Sequence, residues 1–208
     1  MTEPYLIVPS GLFYSVKRKL TISNDYIRFE KQGLTPDVTT FDKEEVTDYR
    51  FGINWISGYA LTIGKEYMIF IRNRQNNIIK INFLSLYGFK KKEFQKLYSD
   101  ILDRIWDHYF RQISDRLINK FRSGQSIDIG NVFISGEGVT IAPSSLFKKH
   151  QKIIPWEKVG TYDYQTYFSI YSKDDPAYIN KGYSYLNDWN TGILYSVVRS
   201  ILQDKHLM

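Results

Sequence analysis

TISNDYIRF, at residues 21–29, lies over FISGEGVTI, at residues 133–141, when the chain is shifted against itself by 112 positions. In both stretches apolar residues alternate on either side of turn-forming residues, a pattern typical of two antiparallel strands joined by a tight turn. Further on, FDKEEVTDY at residues 41–49 lies over IPWEKVGTY at residues 154–162, with an offset of 113. Two blocks in the same order at nearly the same offset predict that one small β-rich module occurs twice.

Short strand-like runs follow both blocks in each copy. They are separated by brief polar connectors rich in Gly, Asn, Asp and Ser, as antiparallel hairpins require. The predicted strands are residues 59–63, 67–72 and 78–83 in the first copy, and residues 167–171, 177–179 and 183–186 in the second.

The first copy is predicted to end in a long helix. Residues 90–122 contain no Pro or Gly, and their apolar residues recur at helical spacing. We expect one continuous helix whose first half caps the first module and whose second half reaches toward the second. A helical hairpin broken near residues 106–111 is the alternative.

The second copy is predicted to end in a shorter helix. Asn187 and Asp188 supply a candidate N-cap, and Trp189, Ile193 and Val197 follow at intervals of four residues. This spacing predicts an apolar helix face that covers the second sheet.

The composition indicates a folded globular protein. Of 208 residues, 43% are hydrophobic and 24% are charged. The chain has no cysteine, which excludes disulfides, thiolate metal sites and a cysteine nucleophile. The N-terminal stretch lacks the basic region of a signal peptide, and no apolar run approaches the roughly 20 residues of a membrane span. We therefore predict a cytoplasmic protein.

The order of these elements resembles the pleckstrin-homology-like (PH-like) superfold in its bacterial and GRAM-like variants. The resemblance rests on the hairpin 132–141, the strand and turn 153–159, the short strands after them and the closing helix from Asp188. It covers residues 125–204 well and residues 11–110 less closely, because FDK at 41–43 replaces the IPW of the second copy.

The resemblance implies an α+β fold of mainly antiparallel β-structure. It implies two PH-like partly open β-barrels or sandwiches, each closed by a C-terminal helix and joined by a long helix. The expected domains are a first PH-like module at 1–110, a helical linker at 111–124 that continues the first module's helix, and a second PH-like module at 125–208. This superfold hosts lipid-binding, peptide-binding and structural modules, so it does not identify one function.

No motif in the chain indicates a catalytic site or a metal site. The three histidines, His108, His150 and His206, do not share ligand spacing. The stretch 58–65 departs from a phosphate-binding loop, because five residues separate its glycines and Glu66 stands where Ser or Thr would bind magnesium. We predict no catalytic residue, no metal site and no cofactor.

Basic runs are the candidate binding sites. The net charge is +6, and residues 1–122 carry the whole excess, with 20 Lys and Arg against 14 Asp and Glu. Its densest parts are the candidate anion-binding or partner-binding residues Lys17, Arg18, Lys19, Lys90, Lys91 and Lys92. In lipid-binding members of the resembled superfold, cations near the first hairpin hold the phosphates of an inositol headgroup. Adjacent residues of a strand point to opposite faces, so whether the runs form one patch is left open.

We therefore expect a non-enzymatic binding or scaffold module. A protein partner is the favoured interpretation, and an anionic membrane surface is the second. An intracellular enzyme of unrecognised type and a nucleic-acid-binding protein, in which exposed aromatics would stack on bases, are the alternatives. The sequence does not identify the oligomeric state.

Overall fold

The computed structural model describes most of the chain and divides it into two compact units. The described residues are 5–10, 16–31, 37–59, 61–142 and 151–208. The first unit comprises residues 1–110 and the second comprises residues 111–208.

The first unit opens with a four-stranded antiparallel sheet in the order β1-β2-β3-β4. Its strands are Tyr5–Ser10 (β1), Val16–Ile22 (β2), Tyr26–Lys31 (β3) and Asp37–Asp42 (β4). The turn between β2 and β3 lies in the repeated block, and Leu20, Ile22, Ile27 and Phe29 around it are buried. This alternation is what the sequence pattern predicts for a strand with one face in the core.

A three-stranded antiparallel sheet follows after a short 3₁₀ turn at Lys43–Glu45. Its strands are Val46–Gly58 (β5), Leu61–Asn73 (β6) and Ile78–Leu86 (β7), in that order. The buried face of this sheet carries Tyr67, Ile69 and Ile71. We call the opposite side of the sheet its outer face.

The predicted long helix is confirmed. It consists of Lys91–Ile105 (α1), a π-helical segment at Trp106–Phe110 and Arg111–Arg122 (α2). The hairpin alternative is wrong, because the backbone stays helical through the region where the break was considered. The widened π-helical turn lies at that point, immediately before the boundary between the units.

Each part of the long helix packs within its own unit. Phe94 of α1 meets Phe83 of β7 edge to face at 5.6 Å, and Tyr98 meets Tyr67 of β6 at 5.2 Å. In the second unit, Ser114 of α2 donates a hydrogen bond to Ser196 at 3.0 Å. Residues 111–122 therefore pack with the second unit's elements.

The second unit repeats the order of elements. A four-stranded sheet, β8-β9-β10-β11, precedes a three-stranded sheet, β12-β13-β14, and both are antiparallel. The elements are Ile127–Ile129 (β8), Val132–Ile134 (β9), Gly138–Ile141 (β10), Lys152–Pro155 (β11), a 3₁₀ turn at Trp156–Lys158, Val159–Asp163 (β12), Tyr167–Ser172 (β13), Asn180–Ser184 (β14) and Thr191–Asp204 (α3).

Helix α3 begins later than the sequence predicts. Asp188 accepts a hydrogen bond from the Ser184 backbone N–H at 2.7 Å, so its carboxylate closes the turn that precedes the helix. Trp189 lies before the helix and is half-buried. Ile193 and Val197 are buried in the core, as predicted.

The α+β class and the mainly antiparallel β-structure are confirmed. The described strands form four separate sheets, and none of these closes into a barrel. Within the described residues, no helix is long and apolar enough to cross a membrane.

Candidate binding surfaces

The first basic run lies on β2 and is divided between the two faces of its sheet. Arg18 is 6% exposed, and its Nη2 donates hydrogen bonds to the backbone carbonyls of Pro9, at 2.9 Å, and Asn82. Its Nη1 donates to Oδ1 of Asn82 at 3.3 Å. Burial lowers the pKa of the Arg18 guanidinium from its ordinary value. Arg18 therefore ties β2 to β7, which gives it a structural role.

Its neighbours in the run point the other way. Lys17 is exposed, and Lys19 is half-buried. The Lys19 ammonium lies 4.6 Å from the centre of the Tyr5 ring and 3.8 Å from a Glu30 carboxylate oxygen. A shallow hollow of about 260 Å³ is lined by Tyr5, Ile7, Lys17, Arg18 and Lys19. Lys17 and Lys19 are the members of the run that an anion could reach, and their role in binding stays a prediction.

The second basic run lies where α1 begins. Lys90 adopts φ +54° immediately before the helix and pairs with Glu93 at 3.3 Å. Lys91 and Lys92 occupy the first turn, and all three lysines are exposed. The two runs therefore lie on different elements, and their convergence into one patch stays a prediction.

A hollow lined by tyrosines lies on the outer face of the second unit's three-stranded sheet. Its volume is about 550 Å³. We call it the tyrosine groove, and its lining consists of Tyr162, Tyr164, Tyr167, Ser169, Tyr171, Pro176, Asn180 and Gly182.

The strand pleat places these residues together. On β13, Phe168, Ile170 and Ser172 are buried, so the alternate residues Tyr167, Ser169 and Tyr171 face outward. The register aligns Tyr162 of β12 and Gly182 of β14 with Ser169. One outward-facing row from each strand therefore contributes to the groove.

Two glycines let the tyrosine rings lie close to the sheet. A Cβ added at Gly160 would lie 2.3 Å from the Tyr171 ring, and one at Gly182 would lie 3.1 Å from the Tyr167 ring. Any larger residue at Gly160 would displace the Tyr171 ring. Glycine is therefore required at Gly160 for the close approach of the neighbouring aromatic.

The rings form a continuous aromatic surface. Tyr164 stacks with Tyr167 at a centroid distance of 4.3 Å and contacts Tyr162 at 4.4 Å. Desolvation, followed by the hydrogen bond and charge of Tyr164, raises the pKa of the Tyr167 hydroxyl. The described lining residues carry no charge, so the groove offers flat apolar rings and neutral hydrogen-bonding groups.

We did not predict this groove from the sequence, because we considered exposed aromatic residues only as stacking partners for nucleic-acid bases. The available signal was the stretch 160–171, GTYDYQTYFSIY, in which tyrosines alternate with smaller or polar residues after a glycine. The contact between Gly160 and Tyr171 cannot be inferred from the sequence alone, because it depends on the register that pairs these residues across β12 and β13.

The described residues contain no group of three side chains that could hold a metal ion. Comparison with known proteins finds no match among family models, curated proteins or solved structures.

Proposed function

We propose that this protein is a non-enzymatic binding module that engages a protein partner through the tyrosine groove. The observation that carries the proposal is the uncharged aromatic groove on the outer face of the β12-β13-β14 sheet. A cytoplasmic location is part of the same proposal.

We further propose that both units are PH-like modules. Each contains a four-stranded antiparallel sheet, then a three-stranded antiparallel sheet and then a helix. The repeated sequence blocks fall on equivalent elements, since 21–29 covers the β2–β3 turn and 133–141 covers the β9–β10 turn. This recurrence supports an internal duplication.

The chemistry of the groove favours an extended, proline-rich segment of the partner. Aromatic-lined grooves bind polyproline II helices, which have little conformational entropy left to lose on binding. Such a helix has no internal hydrogen bonds, so its carbonyls can accept from donors such as the Tyr162 hydroxyl. The hydrogen-bonded pair of Tyr164 and Tyr167 leaves one further O–H to donate. An uncharged groove also gives a highly charged ligand no ionic contact, which disfavours nucleic acid.

Calorimetric titration with a proline-rich peptide of about ten residues tests the proposal, since that length makes about three polyproline turns. We expect saturable binding, and a Gly/Ser peptide of equal length should not bind. Tyr164→Ala and Tyr167→Ala should each raise the dissociation constant by about tenfold, because central tyrosines commonly dominate binding energy.

Tyr178→Ala is the matched control. Tyr178 is 61% exposed and belongs to the same unit, but it does not line the groove. Its removal should leave the affinity unchanged. Absence of binding to the proline-rich peptide, or equal loss in all three variants, would contradict the proposal.

A further inference from the structure

Five exposed apolar side chains gather at one end of the β5-β6-β7 sheet in the first unit. The β5–β6 turn and the turn from β7 into α1 lie side by side, because the Tyr87 N–H donates to the Ile63 carbonyl at 2.7 Å. We call this cluster the aromatic tip, and it consists of Trp55, Tyr59, Leu61, Tyr87 and Phe89. Tyr59 is fully exposed, and Leu61 and Tyr87 are 75% and 82% exposed.

Both tyrosines of the aromatic tip occupy strained backbone positions. Tyr59 has φ +48° and Tyr87 has φ +50°, in the left-handed region that favours glycine or asparagine. A tight hairpin turn such as that at Tyr59 ordinarily carries Asn-Gly or a similar pair. Burial does not offset the strain, because both side chains face solvent. The fold therefore gives no reason for tyrosine at either position, and such strain commonly marks a functional site.

Lysines outnumber acidic residues in the segments that form the aromatic tip. The Lys65 ammonium lies 4.0 Å from the centre of the Trp55 ring. Lys90, Lys91 and Lys92 follow directly after Phe89. Over residues 54–66 and 86–93 the chain carries four lysines and two glutamates. Lys91 and Lys92 also lie in the first turn of α1, where the helix dipole disfavours cations.

We infer that the aromatic tip docks on an anionic lipid bilayer. Tyr and Trp side chains favour the interface between headgroups and acyl chains, because each has an apolar body and a polar end. The four lysines would meet the negative surface potential of the lipids. This surface does not include the β2 run, where Arg18 is committed to the core, and it requires no stereospecific headgroup pocket. The inference goes beyond the tyrosine groove of the second unit and does not depend on it.

Cosedimentation with vesicles tests the inference. The probe is phosphatidylcholine containing about a third of phosphatidylserine, with pure phosphatidylcholine as the neutral arm. We expect binding to the anionic vesicles that weakens as salt rises from about 0.1 M to 1 M, because screening shortens the range of the charges. Equal binding to both kinds of vesicle, or binding to neither, would overturn the inference.

Two variants test separately how much the lysines and the tyrosines of this surface contribute to vesicle binding. Combined Lys90→Gln, Lys91→Gln and Lys92→Gln should lower the partition coefficient by about tenfold or more at low salt. Combined Tyr59→Asn and Tyr87→Asn should lower it at every salt concentration. Asparagine tolerates positive φ, so the second variant should fold at least as well as the wild type.

The charge-matched control is the combined variant Lys120→Gln, Lys152→Gln and Lys173→Gln, which changes three exposed lysines of the second unit. It should bind as the wild type does. An equal loss in this control would show a net-charge effect without a docking surface. Full competition by soluble glycerophosphoserine would show a headgroup site, and a concentration-dependent dimer abolished by the asparagine variant would show that a second copy covers the tip. Any of these three results would overturn the inference.

Discussion

The outer faces of the two three-stranded sheets differ, although the order of elements that builds them is the same. In the first unit, Arg72 pairs with Asp48 at 3.0 Å, and Arg50 lies over the Phe70 ring at 4.6 Å. Lys80 lies 5.7 Å from the same ring. In the second unit, the corresponding face carries the tyrosine groove. The buried faces maintain the fold in both units, so the outer faces are free to carry different chemistry.

A β-bulge in β5, which inserts one extra residue into the strand, accounts for part of the difference between the two outer faces. The sequence blocks align Tyr49 with Tyr162. Strand β5 has a bulge between Val46 and Asp48, whereas β12 pairs with β13 in continuous register from Val159. Because side chains alternate faces along a strand, the bulge turns Tyr49 inward and Tyr162 stays outward.

The largest expected effect on stability comes from Trp156, which stands in the second unit at the position aligned with Lys43. Trp156 is 1% exposed, and its Nε1–H donates to the Ser135 carbonyl at 2.9 Å. Trp156→Ala should lower the free energy of unfolding by about 3–5 kcal/mol, the range for removing a large buried aromatic. Lys43→Ala, at the aligned position, should change it by less than about 0.5 kcal/mol. Urea denaturation measures both, and equal losses would contradict the assignment of Trp156 to the core.

The aligned tyrosines provide a second pair of matched substitutions. Tyr49 is 4% exposed, and its ring stacks on Phe110 at 4.0 Å. Tyr49→Ala should cost about 3 kcal/mol or more, because it empties a buried aromatic position. Tyr162→Ala should cost less than about 0.5 kcal/mol. Thermal unfolding monitored by circular dichroism compares them, and a larger loss at Tyr162 would show that the assignment of faces is wrong.

Substitution of Gly160, which lies beneath the Tyr171 ring, should lower the stability more than substitution of a glycine with free space around it. Gly160→Ala forces the Tyr171 ring away from the sheet, and overpacking of this kind costs about 1–3 kcal/mol. The variant should also bind the proline-rich peptide more weakly. Gly136→Ala is the control, since nothing lies within 4 Å of its added Cβ. Its substitution should be neutral or stabilising. Unchanged stability and binding in Gly160→Ala would remove the structural basis of the groove.

The smallest expected effect on stability comes from an ion pair between two helices of the second unit. Arg122 of α2 donates to Asp204 of α3 at 2.8 Å and 3.0 Å. The hydrogen bond from Arg122 holds the pKa of the Asp204 carboxyl below its ordinary value. The resulting stabilisation is present above the pKa of the unfolded chain, about 3.9, and is lost as pH falls through the lower folded pKa. Both groups are exposed, so solvent screening keeps it small.

Arg122→Gln should therefore move the Asp204 pKa upward and flatten the acid dependence of stability. NMR titration of the Asp204 carboxyl carbon measures the pKa directly. An unchanged pKa would show that the Arg122–Asp204 pair does not persist in solution.

Local patterns predicted the paired hairpin blocks and the long helix correctly. Two predicted strands are wrong: 59–63 begins in the turn after β5, and 177–179 lies in the loop before β14. The alternation around Ser23 and Ser135 and the absence of Pro and Gly from residues 90–122 are properties of neighbouring residues. The helix α3 starts later than the sequence predicts, because the Asp188 carboxylate accepts from the Ser184 N–H within the preceding turn and does not cap the helix. The groove and the bulge depend on register between strands, which a single sequence does not reveal.

The most direct test of the account is to locate peptide binding on one unit by NMR. The proline-rich peptide is titrated into ¹⁵N-labelled full-length protein, and amide shifts are followed in both three-stranded sheets. We expect shifts concentrated in β12, β13 and β14 around Tyr162, Tyr167 and Gly182, with the amides of β5, β6 and β7 unchanged. Shifts of equal size in both sheets, or shifts confined to β5, β6 and β7, would contradict the account.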